Sequence, residues 1–380
     1  MGFTLRIDNY RALRQVRMDV PTGVCALVGP NASGKTSLLE CPQFLRRAYD
    51  RDFATAVAHD GGVFGLRNFQ AAGSDPEAPV QLCLAVQGLS WAVQLAIVGA
   101  NVDPRCGELV LSGSRKLLER EPFTDACTIF DRPVNRDGRP ALLRAAVEAI
   151  DAPPEVEQLA PLVNWLRGYR SYGRYDIDRL RRSGSPQVDD LDLHRTGLNV
   201  FSVLQTWHSG SRDQRARYAF VLDGMRAAFP GSVEDLALKP SGRTITADFL
   251  LPQADAVLPH SLASQGWLVM LLHLCAIASA PRGGAVSIDE PENGLHPFAI
   301  RRLMESAEHW AQANNVSILM ATHSPALLDE LRAHPERIFA MQPGQAVLPC
   351  SLDKMRNPAW LANFSIGQLY MTDDFGAPEP

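Results

Sequence analysis

The sequence predicts an α/β fold in which a parallel core sheet is joined by an antiparallel β subdomain and an inserted helical lobe. Three features indicate the core sheet. An apolar run at 24–28 precedes a glycine-rich loop, a second apolar strand ends in Asp289 and Glu290, and a third ends just before His323. Polar residues that follow buried strands in this way are typical of a parallel sheet with its ligand site at the carboxyl edge.

The glycine-rich loop has the sequence GPNASGKTS, residues 29–37, and contains the complete G-x-x-x-x-G-K-[ST] spacing. The backbone N–H groups of such a loop and the positive end of the following helix dipole favour a phosphate. We expect Lys35 to reach the β- and γ-phosphates of a nucleotide and Thr36 to hold Mg²⁺. Lysine is rare here, with four among 37 basic residues, which argues against a chance match. The predicted nucleotide-binding residues of the loop are Gly29, Pro30, Asn31, Ala32, Ser33, Gly34, Lys35, Thr36 and Ser37.

Two carboxylates and a histidine follow the other two core strands. Asp289 is expected to hold Mg²⁺, directly or through water, and Glu290 to orient and polarise the attacking water. The alternative is a pair of solvated acids that open the next loop. His323 is predicted to donate a hydrogen bond to the γ-phosphate and so to sense its presence, with a structural role as its alternative.

Together these motifs resemble the ABC-type ATPase head of the SMC/RecF/OLD kind, which includes AAA-family ATPases of bacterial defence and genome maintenance. The segments IDEPENGLHP and ATHSP are close to the family pattern, and the NYR turn at 9–11 is similar to the turn of its first strand pair. The resemblance covers about residues 1–130 and 195–345. It implies a P-loop NTPase fold that hydrolyses ATP with Mg²⁺. It also places Arg11 near the nucleotide, although a surface arginine in a turn is the alternative.

The family also has a signature, Ser-x-Gly at a helix start. Ser264 and Gly266 match it within LPHSLASQGW, while Gln265 departs from the usual residue. By the resemblance, this signature contacts the γ-phosphate bound to a second subunit, which implies a homodimer closed around ATP. A plain helix cap is the other interpretation of Ser264. The family's metal-facing glutamine is assigned to Gln70, with Gln81 as a rival.

The chain is predicted to divide into four segments. They are 1–135, the N-terminal half of the head with the P-loop; 136–240, an inserted and mainly helical lobe; 241–345, the C-terminal half with signature, carboxylate strand and switch histidine; and 346–380, a C-terminal tail. Residues 80–131 alternate like an antiparallel meander. The helical patterns at 140–230 contain no heptad run, so the lobe is expected to be compact. Residues 232–251 are predicted to be a strand pair that returns to the sheet.

One stretch of the insertion is a candidate contact surface. Residues 167–182 contain six arginines, three tyrosines and two aspartates. Interleaved arginine and tyrosine can hold a phosphate backbone and stack on bases, so DNA is one candidate partner. A protein partner is another. The third interpretation is structural, with the arginines paired to acids of the lobe itself, such as Asp189, Asp190 and Asp192.

Composition narrows the functional class. The chain is 46% hydrophobic and 21% charged with net charge −5, so no basic field draws it to nucleic acid. Seven scattered cysteines without a C-x-x-C pair, and no apolar leader, predict a cytoplasmic protein with reduced thiols. The most apolar stretch, 267–280, is too short to span a bilayer and is interpreted as a buried helix, so no membrane contact is expected.

These observations predict an ATP-driven switch or clamp in anti-phage defence or DNA maintenance. The residues beyond 345 contain no acidic cluster that would suit a nuclease, so any nuclease or toxin activity is expected in a separate effector protein. The alternative is the ATP-binding subunit of a membrane transporter. The NYR turn, the long insertion before the signature and the IDEPENGLHP segment argue against it.

Overall fold

The structure is a computed structural model that describes residues 2–68, 78–98, 101–102, 106–136, 138–149, 154–252, 256–341 and 349–372. Its strands are β1 (Phe3–Tyr10), β2 (Leu13–Val20), β3 (Gly23–Val28), β4 (Val80–Val86), β5 (Leu89–Leu95), β6 (Ile97–Val98), β7 (Asn101–Val102), β8 (Gly107–Ser112), β9 (Arg115–Arg120), β10 (Ala126–Ile129), β11 (Arg132–Asn135), β12 (Arg170–Tyr172), β13 (Ser185–Pro186), β14 (Asp235–Ser241), β15 (Thr244–Leu250), β16 (Val257–Pro259), β17 (Ala285–Asp289), β18 (Ser317–Ala321), β19 (Ile338–Ala340) and β20 (Cys350–Ser351). Its α-helices are α1 (Lys35–Asp50), α2 (Phe53–His59), α3 (Gly62–Leu66), α4 (Leu142–Val147), α5 (Ala160–Gly168), α6 (Ile177–Ser183), α7 (Val200–Ser209), α8 (Arg212–Ala228), α9 (Gln265–Ser279), α10 (Pro297–Asn314), α11 (Pro325–Glu330), α12 (Leu352–Met355), α13 (Pro358–Leu361) and α14 (Ile366–Met371).

The core sheet has the strand order β12-β17-β18-β3-β19-β20. Its first five strands run parallel, and β20 pairs antiparallel with β19. All six residues of β3 are buried, as expected for a strand that is covered on both faces. The carboxyl ends of β3, β17 and β18 therefore meet at one edge, as the sequence predicted.

Two hydrophobic cores lie on the two faces of this sheet. Along β3, Cys25 and Leu27 join the first core, while Val24, Ala26 and Val28 join the second, because neighbouring side chains of a strand point to opposite faces. The first core also contains α1 and an antiparallel sheet with the order β11-β10-β9-β8-β5-β4-β1-β2. The antiparallel β subdomain is therefore confirmed, and it includes the predicted meander.

The region 136–240 is arranged differently from the single helical lobe that we predicted. Helices α4 and α5 pack into the first core, where Trp165 lies 4.8 Å from the ring of Phe3. Strand β12 then enters the core sheet as the parallel neighbour of β17. Within this region, the residues from Tyr172 onward contribute to the second core, together with α7, α8 and α9. The insertion thus crosses the central sheet, and the helical lobe is smaller than expected.

The apolar stretch at 267–280 forms most of α9, in which every residue from Leu268 to Ser279 is buried. It lies inside the second core between α8, α10 and β17, which explains its lack of a polar face. Among the described helices, none has the length and apolar character needed to cross a membrane. The predicted strand pair is β14 and β15, but it forms a separate sheet with β13 and β16 instead of returning to the core sheet.

The C-terminal segment, which the sequence predicts to be a tail, folds back onto the core. Helix α14 packs against α11. The carboxylate of Asp329 in α11 accepts hydrogen bonds from Ser365 Oγ at 2.8 Å and from the Gly367 backbone N–H at 3.0 Å. A Cβ at Gly367 would lie 2.5 Å from the carbonyl oxygen of Pro325, so the two helices approach too closely for any side chain there.

Candidate nucleotide-binding site

The glycine-rich loop runs from the end of β3 to the start of α1 and is packed tightly on both sides. Gly34 has φ 99° and caps α1, and a Cβ there would lie 2.6 Å from Leu13 Cδ2. A Cβ on Gly29 would lie 2.6 Å from the carbonyl oxygen of Met341. Both glycines of the motif are therefore required by close approach and by their positive φ, which is 151° at Gly29 and 99° at Gly34.

Lys35 is buried and curls back across the loop. Its Nζ donates to the carbonyl oxygens of Gly29 at 2.8 Å and of Pro30 at 2.9 Å. Burial lowers the pKa of Lys35, and the charges of Asp289 and Glu290 oppose that shift. The ammonium group is thus held in the middle of the loop where the motif requires it.

The hydroxyl of Thr36 and the carboxylate of Asp289 meet directly. Thr36 Oγ1 donates to Asp289 Oδ2 at 2.7 Å, although 253 positions separate the two residues in the chain. Burial raises the pKa of Asp289, the Thr36 hydrogen bond lowers it, and the charge of Glu290 raises it further. Oxygen ligands of this kind suit Mg²⁺, so two of the residues that the sequence assigned to the metal lie together.

Glu290 follows β17 in a strained backbone conformation. Its φ is 52°, which is uncommon for a residue with a side chain. Its backbone N–H donates to the Ala321 carbonyl at 2.8 Å, and its Oε2 accepts from Asn293 Nδ2 at 2.7 Å. These bonds fix an exposed carboxylate at the edge of the sheet. Strain of this type is typical of functional sites.

His323 is held from two sides by residues that our sequence reasoning missed. Its backbone N–H donates to Glu292 Oε1 at 2.8 Å, and its ring Nδ1 lies 2.9 Å from the hydroxyl of Tyr370. Burial and then the charge of Lys35 lower the pKa of His323. Glu292 stands within the IDEPENGLHP segment, where it could have been singled out, whereas nothing near Tyr370 in the sequence points to this contact.

Comparison with known proteins agrees with this architecture. The family model described as "AAA domain, putative AbiEii toxin, Type IV TA system" matches residues 160–329. The chain is similar in structure to an Smc head bound to the C-winged helix domain of ScpA, with a TM-score of 0.53 and 11% identity over 86% of this chain and 90% of that one. It is also similar to an Smc head domain with an extended coiled coil, bound to the C-terminal domain of ScpA and derived from Pyrococcus furiosus. That match has a TM-score of 0.51 and 12% identity over 92% of this chain and 96% of the other. No curated protein sequence matches the chain.

The chain has the fold of an Smc head domain.

The signature candidate lies at the start of α9 in this head. Ser264 is exposed, and its Oγ accepts the backbone N–H of Trp267 at 3.2 Å, so it acts as a helix cap. A Cβ on Gly266 would lie 3.1 Å from the Gly294 carbonyl oxygen, which belongs to the loop after Glu290. The cap that we weighed as an alternative is therefore present, and it leaves the serine on the surface of the head.

Arg11 forms an ion pair in the turn between β1 and β2. It donates to Asp60 Oδ2 at 2.7 Å, while Arg47 of α1 donates to Asp60 Oδ1 at 2.7 Å. Asp60 is buried, so this trio ties the first turn of the head to α1. Arg11 is thus more than a surface arginine in a turn, and its proximity to the nucleotide stays a prediction.

The residue after β12 packs closely against Asp289. Gly173 follows β12, and a Cβ there would lie 3.1 Å from Asp289 Cβ. Gln70, our first choice for this position, lies outside the described residues. Gln81 lies in β4 of the antiparallel sheet, opposite Asp8, with its side chain exposed. Gly173 therefore lies beside Asp289, and the assignment of the metal-facing glutamine stays a prediction.

The tyrosines of the 167–182 stretch face inward. The hydroxyl of Tyr169 donates to Leu39 O at 2.7 Å, that of Tyr172 donates to Leu193 O at 2.8 Å, and that of Tyr175 lies 3.1 Å from His273 Nδ1. They are not available to stack on bases, which contradicts that part of the nucleic-acid hypothesis.

The arginines of the stretch divide into two groups. Arg170 pairs with Asp192 at 3.3 Å, and Arg181 donates to the Ala263 carbonyl at 3.0 Å, as the structural interpretation predicted. The exposed arginines are Arg167, Arg174, Arg179 and Arg182, of which Arg167 lies 3.6 Å from Glu148. Any nucleic-acid contact through this stretch would therefore depend on these four side chains.

We expect Arg170→Glu to destabilise the head and Arg174→Glu to leave it unchanged. The first substitution breaks the Asp192 pair and a 3.0 Å hydrogen bond to the Tyr169 carbonyl, and it sets two carboxylates against each other. The expected loss is about 1–3 kcal/mol of unfolding free energy, against less than about 0.5 kcal/mol for the exposed Arg174. Urea unfolding of both variants measures the difference. Equal stability would contradict the structural role of Arg170.

Proposed function

We propose that this head binds and hydrolyses ATP with Mg²⁺, and that two heads close around the nucleotide. In this view it acts as a switch or clamp for a separate effector in bacterial anti-phage defence or DNA maintenance. The observation that carries the proposal is that Lys35, Thr36 and Asp289 lie together at the carboxyl edge of the core sheet. Glu290 follows β17 and His323 follows the neighbouring strand β18 at the same edge.

The residues present fit a magnesium nucleotide. Ser33 Oγ is buried and has no hydrogen-bond partner in the described part of the chain. The hydroxyl of Ser33 could therefore donate a hydrogen bond to a phosphate oxygen. Thr36 and Asp289 supply neighbouring oxygens for the metal. When bound, Mg²⁺ would neutralise phosphate charge and support the transfer of the γ-phosphoryl group to water.

The protein's own groups have distinct proposed tasks. Lys35 and the loop N–H groups hold the phosphates. Asn293 donates to Oε2 of Glu290, which leaves Oε1 as the acceptor for the proton of the attacking water. His323 donates to the γ-phosphate.

Closure of two heads follows from the position of the signature. Ser264 and Gly266 lie at the exposed start of α9, where a helix N-terminus favours a phosphate. In the resemblance, that phosphate is bound to the other subunit, and the chain contains one P-loop and one signature. Each site would therefore take its P-loop from one subunit and its signature from the other.

A partner protein is supported by what the relatives bind. Both Smc heads were solved with a domain of ScpA, and the matching family model is named for a toxin of a type IV toxin–antitoxin system. These names support an effector or adaptor for this head. Neither Smc head is a transporter subunit, so the transporter alternative gains no support.

The test of the proposal is nucleotide binding by a Lys35→Ala variant. Because a charge-assisted hydrogen bond contributes about 1.5–3 kcal/mol, we expect ATP binding to weaken by roughly 10- to 100-fold. Calorimetry on the purified chain with Mg·ATP measures this change. The matched control is Lys116→Ala, which removes an exposed lysine from β9. Unchanged ATP affinity in Lys35→Ala would contradict the assignment of the phosphate site.

A further inference from the structure

The C-terminal segment brings a tyrosine hydroxyl to the ring of the switch histidine. Tyr370 in α14 lies 47 residues after His323, and its Oη is 2.9 Å from His323 Nδ1. The contact is a hydrogen bond between two side chains, so one of them donates and the other accepts. Which of them donates decides where the imidazole carries its proton.

The position of Tyr370 is fixed by the way α14 docks on α11. Asp329 binds the start of α14 through Ser365 and the Gly367 backbone, as described above. Helix α11 begins at Pro325, two residues after His323, and Ser324 caps it. Both members of the pair are therefore anchored to the same short helix, which fixes their separation.

The other groups around His323 leave one ring nitrogen available. Glu292 Oε1 accepts the backbone N–H of His323, and Tyr370 contacts Nδ1. Within the described residues, Nε2 has no hydrogen-bond partner. Nε2 is therefore the atom that can contact a ligand.

A neutral ring makes the tautomer important. Burial and the charge of Lys35 lower the pKa of His323, against the opposing charges of nearby carboxylates, and this favours the neutral imidazole with its single N–H. For Nε2 to donate to a phosphate, Nδ1 must accept. Burial raises the pKa of Tyr370, so its hydroxyl keeps the proton that it would donate.

We propose that Tyr370 is a positioning residue whose hydroxyl donates to Nδ1 of His323 and thereby keeps the imidazole proton on Nε2. The C-terminal segment would then be part of the nucleotide site, because it determines whether the switch histidine can donate to the γ-phosphate. The inference rests on the proposed function, since it requires His323 to contact that phosphate.

The experiment compares ATP turnover in Tyr370→Phe, His323→Ala and the double variant. We expect kcat of Tyr370→Phe to fall about three- to tenfold, because the substitution removes one net hydrogen bond. ADP affinity should not change, because ADP lacks the γ-phosphate. In the His323→Ala background, Tyr370→Phe should have no further effect. The control is Tyr218→Phe, which removes a tyrosine hydroxyl from the helical lobe, 3.3 Å from Asp235.

A second measurement reads the tautomer without relying on activity. In protein labelled with ¹⁵N-histidine, the His323 resonances are identified by their loss in His323→Ala. We expect the Nε2–H tautomer in the unchanged protein and a mixture in Tyr370→Phe. A dominant Nδ1–H tautomer in the unchanged protein would overturn the inference.

The outcomes separate the inference from the proposed function. If His323→Ala slows turnover while Tyr370→Phe does not, the role of Tyr370 is wrong and the role of His323 stands. If Tyr370→Phe slows ATP turnover equally in the unchanged protein and in the His323→Ala background, the tyrosine acts by another route. That result also overturns the inference. If His323→Ala turns over ATP at the unchanged rate, the proposed role of His323 fails and the inference fails with it.

Discussion

Glu290→Gln is expected to bind Mg·ATP as tightly as the unchanged head and to lose turnover by roughly 10²–10⁴-fold. The amide can still accept the Asn293 hydrogen bond and can still orient a water molecule, but it cannot take the proton of that water. Single-turnover assays and calorimetry on the same preparation separate chemistry from binding.

The matched control is Glu305→Gln, which changes an exposed carboxylate on α10 that pairs with Arg302 at 2.6 Å. It should turn over ATP at the unchanged rate. Hydrolysis by Glu290→Gln at a rate close to that of the control would show that another group accepts the proton. The fold would stand, but the assignment of the base would be wrong.

Mixing two inactive variants is expected to restore part of the ATPase activity. Lys35→Ala disables the pocket of its own subunit, and Ser264→Arg disables the surface offered to the partner. In a mixed dimer, one composite site carries both lesions and the other carries neither. A coupled ATPase assay on the mixture measures the recovery. As a second readout, Glu290→Gln should shift to dimer mass with Mg·ATP, because slow turnover preserves the closed state.

A mixture of Lys35→Ala with Glu290→Gln provides the control. Both of these lesions lie in the subunit's own pocket, so every composite site in that mixture carries one lesion and no activity should return. Loss of the Ser264 cap costs about 0.5–2 kcal/mol, so thermal unfolding of Ser264→Arg should be checked first. If the Lys35→Ala and Ser264→Arg mixture stays inactive and Glu290→Gln stays monomeric with ATP, the two-headed clamp should be abandoned.

The parts of the site that could be predicted are those whose residues lie close together in the sequence. The loop around Lys35, the strand that ends at Asp289 and the strand before His323 each combine an apolar run with polar residues at its end. Because such strands align in a parallel sheet, their ends had to meet at one edge. The Thr36–Asp289 contact at 2.7 Å is the structural counterpart of that reasoning.

The parts that could not be predicted depend on packing between distant segments. Strand β12 has three residues, too few to show a period, and it is recognisable as a strand only because β17 lies beside it. The ion pair of Arg11 could not be predicted either, because its partner Asp60 is positioned by the fold of α2 and α3. Tyr370 reaches His323 only because Asp329 docks the C-terminal helices.

The position of β3 in the core sheet has a consequence for how the protein is made. Both neighbours of β3, β18 and β19, come from residues after 316, about 290 residues further along the chain. At a synthesis rate of about 5–20 residues per second, the ribosome needs roughly 15–60 s after completing this apolar strand to synthesise the strands that pair with it. The nucleotide pocket therefore cannot form on a nascent or truncated chain. A translation product that stops before β18 would present β3 with both edges unpaired, which makes it a target for chaperones or a site of aggregation.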